Sequence, residues 1–396
     1  MQRPLEDVRV LDLGHVYQGP YCGLILSYLG ADVVKVEPPG GEAVRARSAD
    51  GETPEVQFLN SNKDGLVVNL KTEAGTELLK DLVAETDVLV ENFSPGKMDE
   101  LGVGYDVLSE VNPRLIYGYG SGFGNTGAYK HYPAMDLTIQ AMGGVMHTTG
   151  YPECPPVKAG PAVCDFLGGI HLVAGIMAAL YRRERTGEGD YVEVGMFDCV
   201  YPTLTSPIAS YIREEGAPPR TGNRHSGLAI APYSAYEVDD GYVTIACMTD
   251  SAWERLVGLM DRPELLDDER LTTLASRTKY TDEIDAMVEA WCDGQTKEEA
   301  VEQLRDANIP CAPVKTLEEL LVDPQLEARG MLNPIQNKGG GRPEIPVPGM
   351  PIKFAGSEDV PVRDSPRVGE NSAEVLSRVL GLSEHEIDEL RAADVI

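Results

Sequence analysis

Short apolar runs alternate with segments of helical spacing over the first 200 residues of the chain. A helix predicted at residues 20–29 lies between strands predicted at residues 8–13 and 32–36, which makes a compact βαβ unit. The same alternation predicts further strands and helices at residues 65–70, 72–85, 87–90, 114–119, 166–185 and 191–196. Strands and helices that alternate at these lengths are typical of a Rossmann-like, doubly wound α/β fold with a mostly parallel sheet.

A second pattern begins after residue 217. Two apolar runs, residues 231–238 and 242–247, flank the turn Asp239-Asp240-Gly241, and this arrangement predicts a β-hairpin. Acidic helical segments follow, then a glycine linker at residues 339–341, and an amphipathic helix is predicted at residues 372–390. The pattern therefore predicts a large domain, a smaller α+β domain, and a linker with a C-terminal segment, at residues 1–217, 218–330 and 331–396.

The charge balance limits the class of partner. The chain has 396 residues, and 34 Lys plus Arg face 64 Asp plus Glu, which gives a net charge of −30. Nucleic acid would repel such a protein, so we expect no nucleic-acid partner. Only 12 of the basic residues are lysines, and an acidic, lysine-poor surface suits solubility in concentrated salt. A halophilic host is the favoured interpretation, and an ordinary acidic cytoplasmic enzyme is the alternative.

Neither export nor a membrane is predicted. The charged residues 1–7 lead straight into a predicted strand, and the most apolar stretch, residues 166–181, has about 16 residues, whereas a membrane span needs about 18 or more. The seven cysteines form no CxxC pair, so neither a disulfide framework nor a zinc site is indicated. We expect a cytoplasmic protein with no membrane partner, no metal and no permanently bound cofactor.

The turn after the first predicted strand is a candidate binding site. It runs from Gly14 to Pro20 and has no GxGxxG pattern, which makes a nicotinamide-dependent dehydrogenase a minor alternative. A turn between a strand and a helix N-terminus still suits a phosphate, because free backbone N–H groups and the helix dipole point towards it. The alternative is that Gly19 and Pro20 only shape a tight turn.

Asp165 is the first candidate for chemistry. It stands between an apolar segment and the helix predicted at residues 166–185, a position where Asp is favoured as an N-cap. A structural capping role is therefore the simpler interpretation. Gly168 and Gly169 favour a functional one, because small residues near a helix start let a ligand approach closely, where backbone N–H groups stabilise an oxyanion.

An ordered set of segments resembles the class III CoA-transferase family, which includes formyl-CoA transferase. The similarity extends over nearly the whole chain and is carried by Leu11-Asp12-Leu13, Gln18-Gly19-Pro20 and residues 29–37, 60–63, 90–96, 121–124, 160–165, 185–189 and 309–314. The resemblance implies a Rossmann-like domain built from both ends of the chain, a smaller second domain, and an interlocked homodimer.

The resemblance also implies that Asp165 is the nucleophile. Its carboxylate attacks the thioester of an acyl-CoA, which gives a mixed anhydride and CoA thiolate, and the thiolate then forms an aspartyl-CoA thioester. An incoming carboxylic acid receives the CoA through a second anhydride. Coenzyme A is thus part of the substrates. By analogy within the family, the donor is succinyl-CoA and the acceptor is a small dicarboxylate such as mesaconate.

Positions that contact CoA in the family carry over to this sequence. The resemblance assigns CoA contacts to His15, Val16, Tyr17, Gln18, Lys71, Asn92 and Phe93. Two basic residues expected near the CoA phosphates fall on Pro38 and Glu100. Phosphate binding would then depend on Arg45, Arg47 or Lys97.

Arg224 and His225 are the candidates for binding the acceptor carboxylate. A guanidinium group suits recognition of a carboxylate through two parallel hydrogen bonds. The alternative is that both residues lie in an interdomain linker, because the segment around them is rich in proline and glycine.

Two other functions stay open. α-Methylacyl-CoA racemases of the same family carry a His directly before the Asp that matches Asp136, and this chain has Met135 there. A thioether cannot take up a proton, which favours transfer over racemisation. A CoA-binding protein without catalytic activity is the third hypothesis, and it predicts that the Asp165→Ala substitution changes nothing.

Overall fold

The computed structural model describes residues 3–49, 51–334, 346–356 and 360–396, so the predicted glycine linker lies outside the described residues. Two compact units are present. The first comprises the described residues of Met1–Ile139, Pro161–Val200 and Leu321–Ile396, and the second comprises Gln140–Gly160 and Tyr201–Leu320. Both ends of the chain therefore belong to the first unit.

The boundaries of the units differ from the predicted ones at residues 217 and 330. Gln140–Gly160 belongs to the second unit, where the Gly222 N–H donates to the Gly150 carbonyl (2.9 Å) and the Arg220 guanidinium donates to the His147 carbonyl (3.1 Å). Composition alone could not show this, because these hydrogen bonds join segments that are distant in the chain.

A parallel sheet forms the centre of the first unit, as the alternating pattern predicted. Its strands are β1 (Arg9–Asp12), β2 (Asp32–Glu37), β3 (Asp64–Val67), β4 (Val88–Glu91), β5 (Ile116–Ser121) and β6 (Asp190–Gly195). Their order is β3-β2-β1-β4-β5-β6, and each neighbouring pair is parallel. The order reverses between β1 and β4, and ligands usually bind outside the carboxyl ends of the strands at such a reversal.

Helices follow most strands of the sheet and make up much of the second unit. The described α-helices are, in chain order, α1 (Gln18–Tyr28), α2 (Pro54–Asn60), α3 (Glu73–Ala84), α4 (Lys97–Glu100), α5 (Tyr105–Val111), α6 (Asp136–Met142), α7 (Val145–Thr148), α8 (Val163–Thr186), α9 (Met196–Val200), α10 (Thr205–Arg213), α11 (Asp250–Leu259), α12 (Leu274–Arg277), α13 (Thr281–Cys292), α14 (Lys297–Asp306), α15 (Leu317–Leu320), α16 (Pro324–Ala328), α17 (Ser372–Leu380) and α18 (Glu384–Ala392). Short 3-10 helices occupy Arg45–Arg47, Tyr201–Leu204, Pro263–Leu266 and Thr278–Tyr280.

Both faces of the parallel sheet are buried. Along β2, Val34 and Val36 pack in a cluster with Leu79 of α3, whereas Val33 packs in a second cluster with Leu172 of α8. Strands that are covered on both faces consist of nearly continuous apolar residues, which is the pattern that the sequence shows here. The sheet therefore lies between two apolar cores, one on each face.

Helix α8 begins earlier than predicted and has 24 residues. By length and mean hydropathy it is apolar enough to cross a membrane, and half of its most apolar window is buried within the structure. Its buried face lies on the sheet, where Gly118 of β5 leaves room: a Cβ atom at residue 118 would lie 2.9 Å from the Ile176 side chain. These contacts are those of a core helix.

The second unit contains the predicted hairpin. Strands β7 (Tyr233–Val238) and β8 (Gly241–Ala246) are antiparallel, and β9 (Cys311–Pro313) pairs with β8. A two-stranded ladder of β10 (Asn333–Pro334) and β11 (Pro346–Val347) completes the described strands.

The prediction of one C-terminal helix at residues 372–390 is wrong. The structure has two, because Gly381 adopts a left-handed conformation (φ 69°) that ends α17. Ser383 then starts α18, since its hydroxyl accepts the Glu386 N–H while the Glu386 side chain bonds back to Ser383.

Candidate active site

A buried ion pair holds the loop between β1 and α1. The Asp12 carboxylate, at the end of β1, accepts a hydrogen bond from the Gly14 N–H (2.8 Å) and from Lys63 Nζ (2.6 Å). Lys63 Nζ also donates to the Pro20 carbonyl (2.8 Å), so it links the end of β1 to the first turn of α1. Burial acts to raise the pKa of Asp12, but the charges of Lys63 and Lys35 outweigh burial and lower the pKa below its usual value.

The Lys63→Met variant is expected to lose about 3–5 kcal/mol of its free energy of unfolding, because the Asp12 charge would remain buried without a partner. Urea unfolding of the purified protein measures the loss. Lys80→Met is the matched control, since Lys80 pairs with Glu77 on the surface (2.8 Å) and its loss should cost less than about 1 kcal/mol. Equal losses in the two variants would contradict the account.

The same loop is tied to the end of β4. The His15 N–H donates to Asn92 Oδ1 (2.6 Å), and Asn92 Nδ2 donates back to the His15 carbonyl (3.0 Å). The imidazole packs on the Phe93 ring with the centroids 4.6 Å apart. Burial lowers the pKa of His15 to about 4, so the ring is neutral at neutral pH and offers an aromatic wall rather than a charge.

Val16 is held in a strained conformation in the middle of this loop. Its φ of 64° lies in the left-handed region, which β-branched residues rarely adopt. The Val16 N–H donates to the buried Glu42 carboxylate (2.9 Å), which fixes the backbone in this conformation. Strain of this kind is concentrated at ligand sites, where the surrounding structure maintains it.

Asp165 lies in the first turn of α8 and is not its N-cap, so the predicted capping role is wrong. The helix begins at Val163, and the N-cap residue is Ala162. Asp136 supplies the capping group, because its Oδ1 accepts the N–H groups of Cys164 (2.9 Å) and Asp165 (3.4 Å). Burial, and secondarily the charge of Asp136, raise the pKa of Asp165 to about 7.

One cavity of about 550 Å³ brings these groups together. It is lined by His15, Val16, Gln18, Asn92, Phe93, Ser94, Pro95, Tyr119, Gly120, Ser121, Gly122, Tyr132, Pro133, Ala134, Met135, Thr138, Asp165 and Met196. Asp165 and five of the seven CoA contacts assigned by resemblance therefore line the same cavity. The cavity lies at the carboxyl ends of β1, β4 and β5, where the strand order places a ligand.

Two of the assigned CoA contacts lie outside the lining of this cavity. Tyr17 is the N-cap residue of α1, and it lines a separate apolar groove with Tyr21, Phe58 and Phe166. Lys71 is exposed just before α3.

The candidates for the acceptor carboxylate already have partners. The Arg224 guanidinium binds Asp285 (2.7 Å) and Asp282 (2.6 Å), so its positive charge is neutralised within the second unit. Nδ1 of His225 accepts the Gly227 N–H (3.1 Å), and burial lowers the pKa of this imidazole. Binding of the acceptor by Arg224 and His225 stays a prediction, and a carboxylate would have to compete with Asp282 and Asp285 for Arg224.

The three candidates for binding the CoA phosphates differ in burial and in the strength of their ion pairs. Arg45 is buried and makes two hydrogen bonds of 2.8 Å to Glu37, which rules it out as a free cation. Arg47 and Lys97 are about half exposed, and each pairs with a partly or largely exposed glutamate. Exposed pairs are weak, so Arg47 and Lys97 are the two that a phosphate could take over.

Sequence reasoning missed two features of the site. Asp136 was noted only as the neighbour of Met135, although it caps α8 and raises the pKa of Asp165. Gly168 and Gly169 were expected to admit a ligand. The structure shows that a Cβ atom at Gly168 would lie 2.5 Å from Gln18 Nε2, so this space is filled by the protein itself. Spacing along the chain carries no signal for either contact.

Known CoA-transferases are similar to this chain over nearly its whole length. The family model described as CoA-transferase family III matches residues 5–372. An acetyl-CoA:oxalate CoA-transferase from Acetobacter aceti is 36% identical over 375 residues, which cover 93% of this chain and 94% of the relative. A succinyl-CoA:mesaconate CoA-transferase from Haloarcula hispanica is 38% identical over 385 residues, 94% of this chain and 95% of the relative. The crystal structure of a CaiB/BaiF family protein from Brucella suis has a TM-score of 0.83 at 34% identity, and covers 96% of this chain and 100% of its own.

The chain belongs to CoA-transferase family III, which confirms the resemblance drawn from the sequence. It is an enzyme of the CoA-transferase class, and CoA thioesters are substrates of that class. In the part of the chain that the structure describes, no group of three or more His, Cys, Asp or Glu side chains could hold a metal ion.

Proposed function

We propose that this protein transfers CoA from an acyl-CoA to a small carboxylic acid through covalent intermediates on Asp165. The observation that carries the proposal is the place of this carboxyl group, which is 8% exposed and lies in the wall of the cavity formed by the His15 loop and Asn92. With a pKa of about 7 it is a stronger base than a solvated carboxylate, and a fraction near one half is ionised at neutral pH.

The chemistry needs a carboxylate that is reactive and shielded from water. An Asp165 oxygen attacks the thioester carbon, and CoA thiolate leaves to give the anhydride. The thiolate then attacks the Asp165 carbonyl carbon and releases the first acid, which leaves CoA on Asp165. The second acid reverses both steps. Water would hydrolyse each intermediate, so burial of Asp165 protects them.

For the substrates we propose succinyl-CoA as donor and a small dicarboxylate such as mesaconate as acceptor. The support is that the relative from Haloarcula hispanica is named for these two substrates and that the acidic, lysine-poor composition fits a salt-adapted host. The homodimer, the cytoplasmic location and the halophilic host stay predictions.

Racemisation is disfavoured by the residues that line the cavity. Met135 is in the wall where a racemase carries its His, and a thioether takes up no proton. The imidazole that lines the cavity, His15, has a pKa of about 4 and is a weak base.

The proposed function is tested by a panel of acids. The protein is incubated with succinyl-CoA and, separately, mesaconate, oxalate, malate or glutarate, at low and at high KCl, and the CoA esters are identified by mass. We expect a new CoA ester of a dicarboxylate. The proposal fails if no acid is esterified. Epimerisation of a 2-methylacyl-CoA would then show a racemase, and tight CoA binding without any product would show a binding protein.

A further inference from the structure

Gln18 has a buried amide nitrogen without a partner. Gln18 is the first residue of α1 and is 1% exposed. Its Nε2 atom is fully buried, and it makes no hydrogen bond to any described residue. Buried polar groups in proteins are nearly always hydrogen-bonded, because a donor removed from water without a new acceptor keeps its full desolvation penalty. This amide therefore calls for an acceptor that the chain does not supply.

Two glycines on neighbouring elements make room for this amide. A Cβ atom at Gly120 of β5 would lie 2.8 Å from Gln18 Cδ, and one at Gly168 of α8 would lie 2.5 Å from Nε2. A side chain at either position would therefore displace the Gln18 amide. The Gln18 amide of α1 thus packs against glycines of two other elements, β5 and α8.

The amide shares a cavity with the carboxyl group of Asp165. Gln18 and Asp165 both line the cavity, and Gly168, which contacts Nε2, follows Asp165 by one turn of α8. Residues three apart on a helix share a face. Asp165 and the surface against which Gln18 packs therefore point to the same side of α8.

The backbone of α8 does not provide a donor for an oxyanion at this place. The N–H groups of Cys164 and Asp165 bind Asp136, and the Phe166 N–H donates to the Ala162 carbonyl (3.2 Å). None of the residues that line the cavity in the described part of the chain is Lys or Arg. Charge that develops on a carbonyl oxygen near Asp165 is therefore met by a neutral donor. Among the described residues, two buried donor atoms without a partner belong to residues that line the cavity, Gln18 Nε2 and the Tyr119 hydroxyl, and Gln18 is the one that packs on α8 beside Gly168.

We propose that Gln18 is a catalytic residue whose Nε2–H donates a hydrogen bond to the carbonyl oxygen that is attacked during CoA transfer. When an Asp165 oxygen bonds to the thioester carbon, the carbonyl π electrons move to that oxygen, and the amide stabilises the resulting oxyanion. The electrons return when the C–S bond breaks and the thiolate leaves. The inference rests on the proposed function and adds to it a donor for the oxyanion.

The test is the Gln18→Met variant, which keeps the length of the side chain and removes the donor. We expect kcat to fall about 10²-fold, as for loss of one oxyanion donor. The KM for acyl-CoA and the Kd of free CoA should stay within about threefold, and the thermal midpoint should not fall, because no hydrogen bond of the free protein is lost. Gln18→Leu repeats the test with another apolar shape.

Gln57→Met is the matched control. Gln57 is 7% exposed on α2 and does not line the cavity, so kcat should remain at the level of the unchanged protein. The inference is overturned if Gln18→Met keeps kcat within threefold. It is also overturned if the thermal midpoint and CoA binding fall together with kcat, which would show a structural role. If the unchanged protein transfers no CoA to any acid, the proposed function itself fails, an outcome that is visible before any variant is compared.

Discussion

Asp165→Asn is expected to lose CoA transfer by at least about 10⁴-fold, because an amide forms neither the anhydride nor the aspartyl-CoA thioester. Asn has almost the same shape as Asp, and it removes a carboxyl group whose ionisation is opposed by burial. The fold should therefore persist. Rates are measured from the CoA esters formed, and folding is followed by thermal unfolding.

The raised pKa of Asp165 also makes the stability of the protein depend on pH. Asp165 binds its proton more tightly in the folded protein, with a pKa of about 7, than in the unfolded chain, with 3.8. The folded state therefore loses stability as the pH rises from about 4 to about 7, and Asp165→Asn lacks this loss. We expect the variant to match the unchanged protein at pH 4 and to exceed its thermal midpoint at pH 8.

Asp198→Asn serves as the control for the Asp165 variant. Asp198 is an exposed carboxylate of the same unit and does not line the cavity, so its loss should leave the rate within about twofold. If Asp165→Asn retains more than about 1% of the activity, Asp165 is not the nucleophile.

The second large effect is on the pH profile of transfer. Only the ionised carboxylate attacks, so the rate should rise with pH and level off above about pH 7. At pH 6 about one tenth of Asp165 is ionised, and the rate should be about one tenth of the plateau. Asp136→Asn removes the nearby negative charge and keeps an oxygen for the Cys164 and Asp165 N–H groups. The acid limb should then move to lower pH.

The profile is measured as kcat between pH 5 and 9 for both proteins, with Glu188→Gln as an exposed control outside the cavity. The shift must appear in Asp136→Asn and not in the control. An unchanged acid limb in Asp136→Asn would mean that the Asp136 charge does not act on Asp165. If the acid limb of the kcat profile of the unchanged protein lies near pH 4, the pKa of Asp165 is not raised.

Local pattern was sufficient to predict the parallel sheet. Strands β1 and β2 occupy Arg9–Asp12 and Asp32–Glu37, close to the predicted ranges, because short, valine-rich apolar runs between turn residues favour strands. The C-terminal tail was predicted less well. One amphipathic pattern spans α17 and α18, and only the left-handed Gly381 separates them.

The family resemblance allowed individual residues of the site to be predicted from the sequence. Asp165, His15 and Asn92 line one cavity, and the roles that the resemblance gives them stay predictions. The groups that tune them could not be found this way, because their roles arise from contacts across the fold. Asp136 reaches the start of α8 from 28 residues upstream, and Gln18 fits between two glycines that lie more than 100 residues away from it.

The central claim is that Asp165 becomes covalently acylated, and trapping the intermediate tests it most directly. The protein is mixed with succinyl-CoA in the presence of hydroxylamine, digested, and its peptides are analysed by mass spectrometry. The account predicts a hydroxamate at Asp165 that requires the acyl-CoA and is absent from Asp165→Asn. Modification of the adjacent Cys164 instead, or no modification during active transfer, would contradict it.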